Sequence, residues 1–239
     1  MEKIIGIIGA MDSEIALLTK KMEDKREIHA EGLIFYCGKL AGKQVIVAKC
    51  GIGKVYAALC AQSMILRFGA THLINTGVAG GLNTGLRIGD LVVSRDAVQH
   101  DFDISAFGHV KGYMGGGDGR QPTRFLADQA LIACMERAAE RVLGRRRYLL
   151  GTIASGDQFV EDGDYKQYLV QVFGADAVEM EGAAVAQAAQ ANGVPFVILR
   201  AISDLADHQA NVSFDQFERE AADVSAALVI AMLEEMKES

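Results

Sequence analysis

Short apolar, β-branched runs alternate along the chain with longer stretches of helical period. The runs Ile4–Gly9, Leu33–Gly38, Val45–Cys50, Leu73–Thr76, Asp90–Ala97, Tyr148–Ala154, Ala177–Glu179 and Phe196–Ile202 have the length and residue types of strands. Ser13–Met22, Lys54–Phe68, Arg124–Leu143, Asp164–Phe173, Glu181–Asn192 and Phe214–Lys237 read as helices. Gly69, Gly144, Gly174 and Gly193 close several of these helices, because glycine accepts the left-handed conformation of a helix C-terminus. Pro195 blocks continuation past Gly193. Leu40-Ala41-Gly42-Lys43 has the composition of a hairpin turn, so the alternation predicts an α/β fold with a mixed sheet covered by helices on both faces. No repeat, low-complexity tract or proline-rich linker divides the chain, and residues 1–239 read as one domain. The Gly-rich stretch Gln99–Gln121 is long for a loop in a compact domain and is expected to be functional or interfacial.

Composition narrows the partners. Half of the 239 residues are hydrophobic, enough for a large core, and a net charge of -7 argues against nucleic-acid binding. The basic cluster Arg145-Arg146-Arg147 reads as a solvated loop after a helix. No apolar run is long enough to span a membrane, and the N-terminus lacks the pattern of a signal peptide. Cys37, Cys50, Cys60 and Cys134 form no C-x-x-C pair, which fits reduced thiols in a cytoplasmic protein. The histidines show no metal-ligand spacing. His100-Asp101-Phe102-Asp103 reads as a solvated loop rather than a metal site, and Cys50 as a small buried residue.

Ligands of open α/β sheets bind at the carboxyl ends of strands, and there the chain places its glycines and acids. Gly51-Ile52-Gly53-Lys54 lacks the first glycine and the final hydroxyl of a P-loop, and Gly6-x-x-Gly9 is not a dinucleotide fingerprint. Both read as tight strand-to-helix turns. Glu14, alone, reads as a carboxylate against the positive end of a helix, and Glu181 allows the same role. Asp204 ends an apolar strand and is either a cap for the next segment or a functional acid. Arg200 and Asp204 share strand parity, so a pair between them could be structural or functional.

Six motifs then occur in order: Gly9-Ala10-Met11-x-x-Glu14, Gly51-Ile52-Gly53-Lys54, Ile74-Asn75-Thr76-Gly77-x-Ala79-Gly80-Gly81, Ser155-Gly156-Asp157-x-Phe159, Val178-Glu179-Met180-Glu181 and Arg200-Ala201-Ile202-Ser203-Asp204. Together they resemble the 5′-methylthioadenosine/S-adenosylhomocysteine nucleosidases of the nucleoside phosphorylase/hydrolase superfamily, over nearly the whole chain. The resemblance implies a single-domain three-layer αβα sandwich, a homodimer, no cofactor and no metal. It implies hydrolysis of the adenine–ribose bond through an oxocarbenium-like transition state.

By the same resemblance Asp204 protonates the departing adenine and Glu14 activates water. Glu181 takes the ribose hydroxyls beside Glu179, Met180 packs on the ribose, and Phe159 stacks on adenine. The backbone of Val160 reads the amino edge of the purine, Arg200 holds the acids, and Ser203 bonds Asp204. Met11, Ile52 and Phe214 line the alkylthio end, while Ile104 and Phe107 reach in from the partner subunit. Gly80 and Val78 belong to the binding set too. Many family members carry serine where this chain has Val78, so any serine contact is lost there, and the rim around Met114-Gly115-Gly116-Gly117 also departs from the pattern. Two rivals stand beside this expectation: a phosphate-dependent nucleoside phosphorylase and a non-catalytic nucleoside-binding protein on the same scaffold. A carboxylate at Glu14 would repel the dianion that the first requires.

Overall fold

The computed structural model describes residues 3–143 and 147–236. Its spine is one ten-stranded mixed sheet. The elements in chain order are β1 (Ile4–Gly9), α1 (Asp12–Lys21), β2 (Glu23–Ala30), β3 (Leu33–Leu40), β4 (Lys43–Lys49), α2 (Lys54–Leu66), β5 (His72–Gly81), β6 (Leu91–Gln99), β7 (Phe125–Leu126), α3 (Gln129–Val142), β8 (Tyr148–Ser155), α4 (Gly163–Phe173), β9 (Ala177–Glu179), α5 (Gly182–Ala191), β10 (Phe196–Asp204) and α6 (Ala210–Glu235). Strands β4, β1, β5 and β10 run parallel, and their near-continuous apolar sequences follow from burial on both faces. One layer of helices holds α1, α3 and α6, and the other holds α2 and α5. This is the αβα arrangement that strand–helix alternation predicts.

The sheet also closes on itself. β10 pairs with both β5 and β6, and β6, β8 and β9 lead back to β5, so five strands form a ring. At the end of this ring β10 carries a bulge: Ile202 faces Ala79 and Asp204 faces Gly80, with Ser203 between them. A bulge re-aims the residues that follow it. The parity argument that put Arg200 and Asp204 on one face therefore fails, because the extra residue resets the alternation.

Several sequence expectations change at their edges. β2 was not expected. It is charged and exposed along its length, and it lies at the sheet margin beside β3, where charge discourages edge-to-edge association. Both turns of this meander carry two central residues with positive φ, Glu31-Gly32 and Ala41-Gly42, the geometry of two-residue hairpins. The helix expected from Arg124 begins at Gln129, capped by the Asp128 carboxylate on the N–H groups of Ala130 and Leu131. Phe125 and Leu126 pair with β6 instead. The last helix starts at Ala210 rather than Phe214. Gly69, Gly174 and Gly193 all hold positive φ just after helices, as expected. Gly144, Arg145, Arg146 and Lys237 lie outside the described residues. The 99–121 stretch is irregular apart from a single 3-10 turn at Ser105–Phe107. Among the described residues no helix is long and apolar enough to cross a membrane.

Candidate active site

The carboxyl ends of β1, β5 and β10, with the β9–α5 corner, enclose a cavity of about 480 Å³. Met11, Glu14, Ile52, Val78, Gly80, Phe159, Glu179, Met180, Glu181, Ser203, Asp204 and Phe214, all expected from sequence, stand in its wall. Val160 lines a small recess beside it, with Gly80, Phe159 and Asp204. The volume suits a small organic ligand.

Glu14 sits in the first turn of α1, yet its role exceeds a dipole contact. Its Oε2 accepts from the N–H groups of Ala10 at 2.6 Å and Met11 at 3.0 Å, and Oε1 accepts from Val78 N–H at 3.0 Å. The carboxylate thus ties β1 to β5. Burial raises its pKa, while Arg200 and those three N–H groups pull the other way.

Behind the cavity lies Arg200, fully buried on β10. Its guanidinium donates to both Glu179 Oε2 and Asn75 Oδ1, the latter at 2.6 Å, and its Nη2 lies 3.7 Å from Glu181 Oε2. Asn75 in turn donates to the Ile8 carbonyl at 2.9 Å. The partner of Arg200 is therefore Glu179, not the Asp204 that strand parity suggested. Ser155 donates to Glu179 Oε1, and the N–H groups of Glu181 and Gly182 bond Oε2. Glu179 lines the cavity, but its oxygens are taken by protein donors. Burial alone would raise its pKa; Arg200, Ser155 and the α5 N-terminus overcome that and hold it low. Glu181 answers oppositely. Burial, then the charge of Glu179, pushes it up to about 8, although Gly53 N–H reaches its Oε1 at 2.8 Å.

Asp204, 2% exposed, accepts from Ser203 Oγ at 2.9 Å and from Ala206 N–H at 2.9 Å. It both caps the following turn and faces the cavity. Burial is the main cause of its raised pKa.

The glycines of β5 serve these acids. A Cβ on Gly77 would fall inside the contact radius of Glu14 Oε1 and 2.9 Å from Arg200 Nη1, and one on Gly80 would lie 2.8 Å from Asp204 Oδ1. Only a bare backbone lets both carboxylates lie this close to the strand.

The loop Gly51-Ile52-Gly53-Lys54 is likewise filled from within. Gly53 N–H serves Glu181, Lys54 N–H serves Asp157 Oδ1 at 2.8 Å, and Lys54 Nζ pairs with Asp101 Oδ1 at 2.5 Å. Asp101 Oδ2 then accepts from Asp157 N–H at 2.9 Å. Asp101 thus clasps three loops together while the residue itself stays exposed. Cys50 is buried, its pKa raised chiefly by that burial, as expected of a packing residue.

Ile104 and Phe107 do not line the cavity of their own chain. Phe107 is 80% exposed, whereas Ile104 and Phe102 are half-buried rather than exposed. Sequence reasoning assigned no role to Asn75 or Ser155, although both stand in the quoted strand-end motifs. It also missed Asn211 in the cavity wall, because the first turn of α6 read as loop, and Asp215, which lay in the expected helix but was assigned no role.

Three comparisons bear on this site. The family model of the phosphorylase superfamily matches residues 4–234. The 5′-methylthioadenosine/S-adenosylhomocysteine nucleosidase of Geobacillus thermodenitrificans is 43% identical over 229 residues, 95% of each chain. The Neisseria meningitidis nucleosidase of the same name, solved with methylthio-immucillin-A, superposes with a TM-score of 0.91 at 40% identity, covering 98% of this chain and 100% of that one. The Helicobacter pylori futalosine hydrolase gives a TM-score of 0.91 at 42% identity, covering 98% of both chains.

Two outcomes follow from the geometry. Gly77→Ala is expected to displace Glu14 from its three N–H donors and to cost about 1–3 kcal/mol of stability by overpacking, while Gly163→Ala, in open space, stays within about 0.5 kcal/mol. Denaturant unfolding of both variants measures this. Glu181 binds its proton more tightly folded than unfolded, so its contribution is fully present below its ordinary pKa and is lost as pH rises from about 4.5 toward about 8. Thermal unfolding of Glu181→Gln should decline less across that window than that of the parent protein; an identical slope would show that Glu181 is already ionised.

Proposed function

The chain belongs to the phosphorylase superfamily and, within it, to the 5′-methylthioadenosine/S-adenosylhomocysteine nucleosidases, and on that premise we propose that Glu14 and Asp204 carry the hydrolysis of its substrates. The reaction breaks the N-glycosidic bond of 5′-methylthioadenosine or S-adenosylhomocysteine, with 5′-deoxyadenosine as a further candidate, and releases adenine and the 5-substituted ribose. The observation that carries the assignment is the placement of both acids in the wall of one cavity, against glycines three residues apart on β5. Three residues of strand span roughly 10 Å at about 3.3 Å per residue, room for a sugar–purine linkage between a proton donor and a water molecule.

Adenine enters toward Phe159 and the Val160 backbone. Asp204, its pKa raised chiefly by burial, passes a proton to the purine ring as the bond to the sugar lengthens. Glu14 orients a water and takes its proton as the water attacks the anomeric carbon; the raised pKa makes it a better acceptor. Glu181 accepts from the ribose hydroxyls, Met180 packs on the ring, and the buried negative charge around Arg200 favours the cationic sugar of the transition state. Arg200 and Glu179 hold this arrangement, and Ser203 orients Asp204. The alkylthio group lies against Met11, Ile52 and Phe214.

Phosphorolysis fits less well. The N–H groups at the end of β1 that could cradle an anion already bind Glu14, and Lys54 is paired with Asp101. The protein's own carboxylates fill the places where phosphate would bind.

The proposal extends to a homodimer. Val55, Tyr56, Leu59 and Leu66 on α2, with Ile52 before it and Phe107 nearby in the 99–121 stretch by the Lys54–Asp101 clasp, are exposed apolar side chains. Such a patch calls for a partner, and a second copy would bring its Ile104 and Phe107 to the alkylthio end. The reading places the protein in the cytoplasm, with four unbridged cysteines in support.

Incubation with each nucleoside in phosphate-free buffer should release adenine and the free sugar, and Asp204→Asn should lower turnover by two or more orders of magnitude with a smaller change in affinity. A phosphate requirement would favour the phosphorylase, and retention of nucleoside without adenine release would favour a binding protein. Phe107→Ala should raise KM for substrates with bulky 5′ groups more than for 5′-deoxyadenosine; unchanged selectivity would rule out the cross-subunit wall.

A further inference from the structure

The turn that follows Asp204 is held from outside the cavity by a residue of α4. Ala206 is a fully buried alanine with φ of 48°, in the left-handed region that side chains disfavour. Such a conformation persists only where its surroundings enforce it. Two bonds do so. From the cavity side the Asp204 carboxylate accepts from Ala206 N–H at 2.9 Å. From the opposite side Lys166 Nζ donates to the Leu205 carbonyl at 2.6 Å. The second is a charge-assisted bond to the carbonyl of the same Leu205–Ala206 peptide whose N–H serves Asp204. Close packing leaves the turn little alternative space, since a Cβ on Gly80 would lie 3.1 Å from the Ala206 methyl and one on Gly81 3.3 Å from Leu205.

We propose that Lys166 is a positioning residue for the proton donor: its ammonium clamps the Leu205 carbonyl and thereby fixes the turn from which Asp204 projects into the cavity. The inference rests on the role proposed for Asp204. Without the clamp, Leu205 and Ala206 can relax toward ordinary dihedrals, and the Ala206 N–H that orients Asp204 Oδ1 moves with them. The charges facing Asp204 are Asp207 in its own segment and Lys166 from α4, with Glu14, Glu179, Glu181 and, from α6, Asp215 elsewhere in the cavity wall. Among these Lys166 is a cation that favours the ionised acid, so its removal lets Asp204 keep its proton to higher pH.

The test compares Lys166→Met, which keeps the apolar stem, with Lys166→Arg, which keeps the cation, using methylthioadenosine and adenine release. Lys166→Met should lower kcat roughly ten- to a hundredfold, the scale of a lost hydrogen bond to a charged group, with KM changed less than about threefold. The basic limb of its kcat–pH profile should move to higher pH, and Lys166→Arg should restore both quantities. Unchanged kcat and an unmoved basic limb in Lys166→Met would overturn the proposal, as would a loss that arginine does not repair. Asp204→Asn in the same assay separates the two claims. If it abolishes turnover while Lys166→Met does not, only the clamp is wrong; if it retains turnover, the assignment of Asp204 itself falls.

Discussion

Three carboxylates, Glu14, Glu179 and Glu181, share one buried guanidinium, that of Arg200. Charges removed from water are tolerated only when paired and hydrogen-bonded. Glu179 takes most of what Arg200 offers, together with Ser155 and the N-terminus of α5. Glu14 is satisfied instead by three backbone N–H groups. Glu181 receives the least, and its pKa rises accordingly. The imbalance is directional: a cavity with more acid than base along its wall is poorly matched to an anion and well matched to a sugar acquiring positive charge. Removing one partner of a buried pair typically costs about 3–5 kcal/mol, so the cluster constrains the fold as much as the chemistry. Asn75 and Ser155 belong to the same constraint, since each is fully buried and completes a bond to Arg200 or Glu179.

The backbone geometry of the site resembles an anion-binding design turned to another use. Strand-to-helix turns present N–H groups that could cradle phosphate. Here Glu14 occupies one such turn and Glu181 and Asp157 occupy another. Filling such a cradle with a carboxylate leaves its N–H groups no free capacity for a dianion, which is the physical ground on which the proposed hydrolysis is preferred to phosphorolysis.

Most of the frame was legible because the apolar strands are buried on both faces and stand out from amphipathic helices. β2 was not, since Glu23–Ala30 is an exposed charged edge whose pairing is set by its hairpin turn rather than by apolar alternation. The start of α6 was missed because Asn211 and Ser213 resemble loop residues, and with it went Asn211 of the cavity wall. Single carboxylates were ambiguous for a physical reason. Glu14 at a helix start and Asp204 at a strand end both do the structural work assigned to them and also face the cavity, so no local pattern separates the roles. The six motifs in register identified the family, and the catalytic roles proposed for the two acids rest on that resemblance. Parity along β10 misled because a bulge carries no apolar signature, and it moved the partner of Arg200 from Asp204 to Glu179.

That bulge links the closure of the sheet to the placement of Asp204 in the cavity wall. β10 is the strand that pairs on both sides to complete the five-stranded ring, and its register with β5 slips only at Ser203, one residue before Asp204. Without the slip, Asp204 would continue the alternation that sends Arg200 behind the cavity into the acid cluster. With it, one strand delivers a cation to the cluster and an acid to the opposite end of the pocket. The bare backbone at Gly77 and Gly80 on the neighbouring strand makes room for both. The two glycines of β5 are, in three dimensions, the clearance that two carboxylates require.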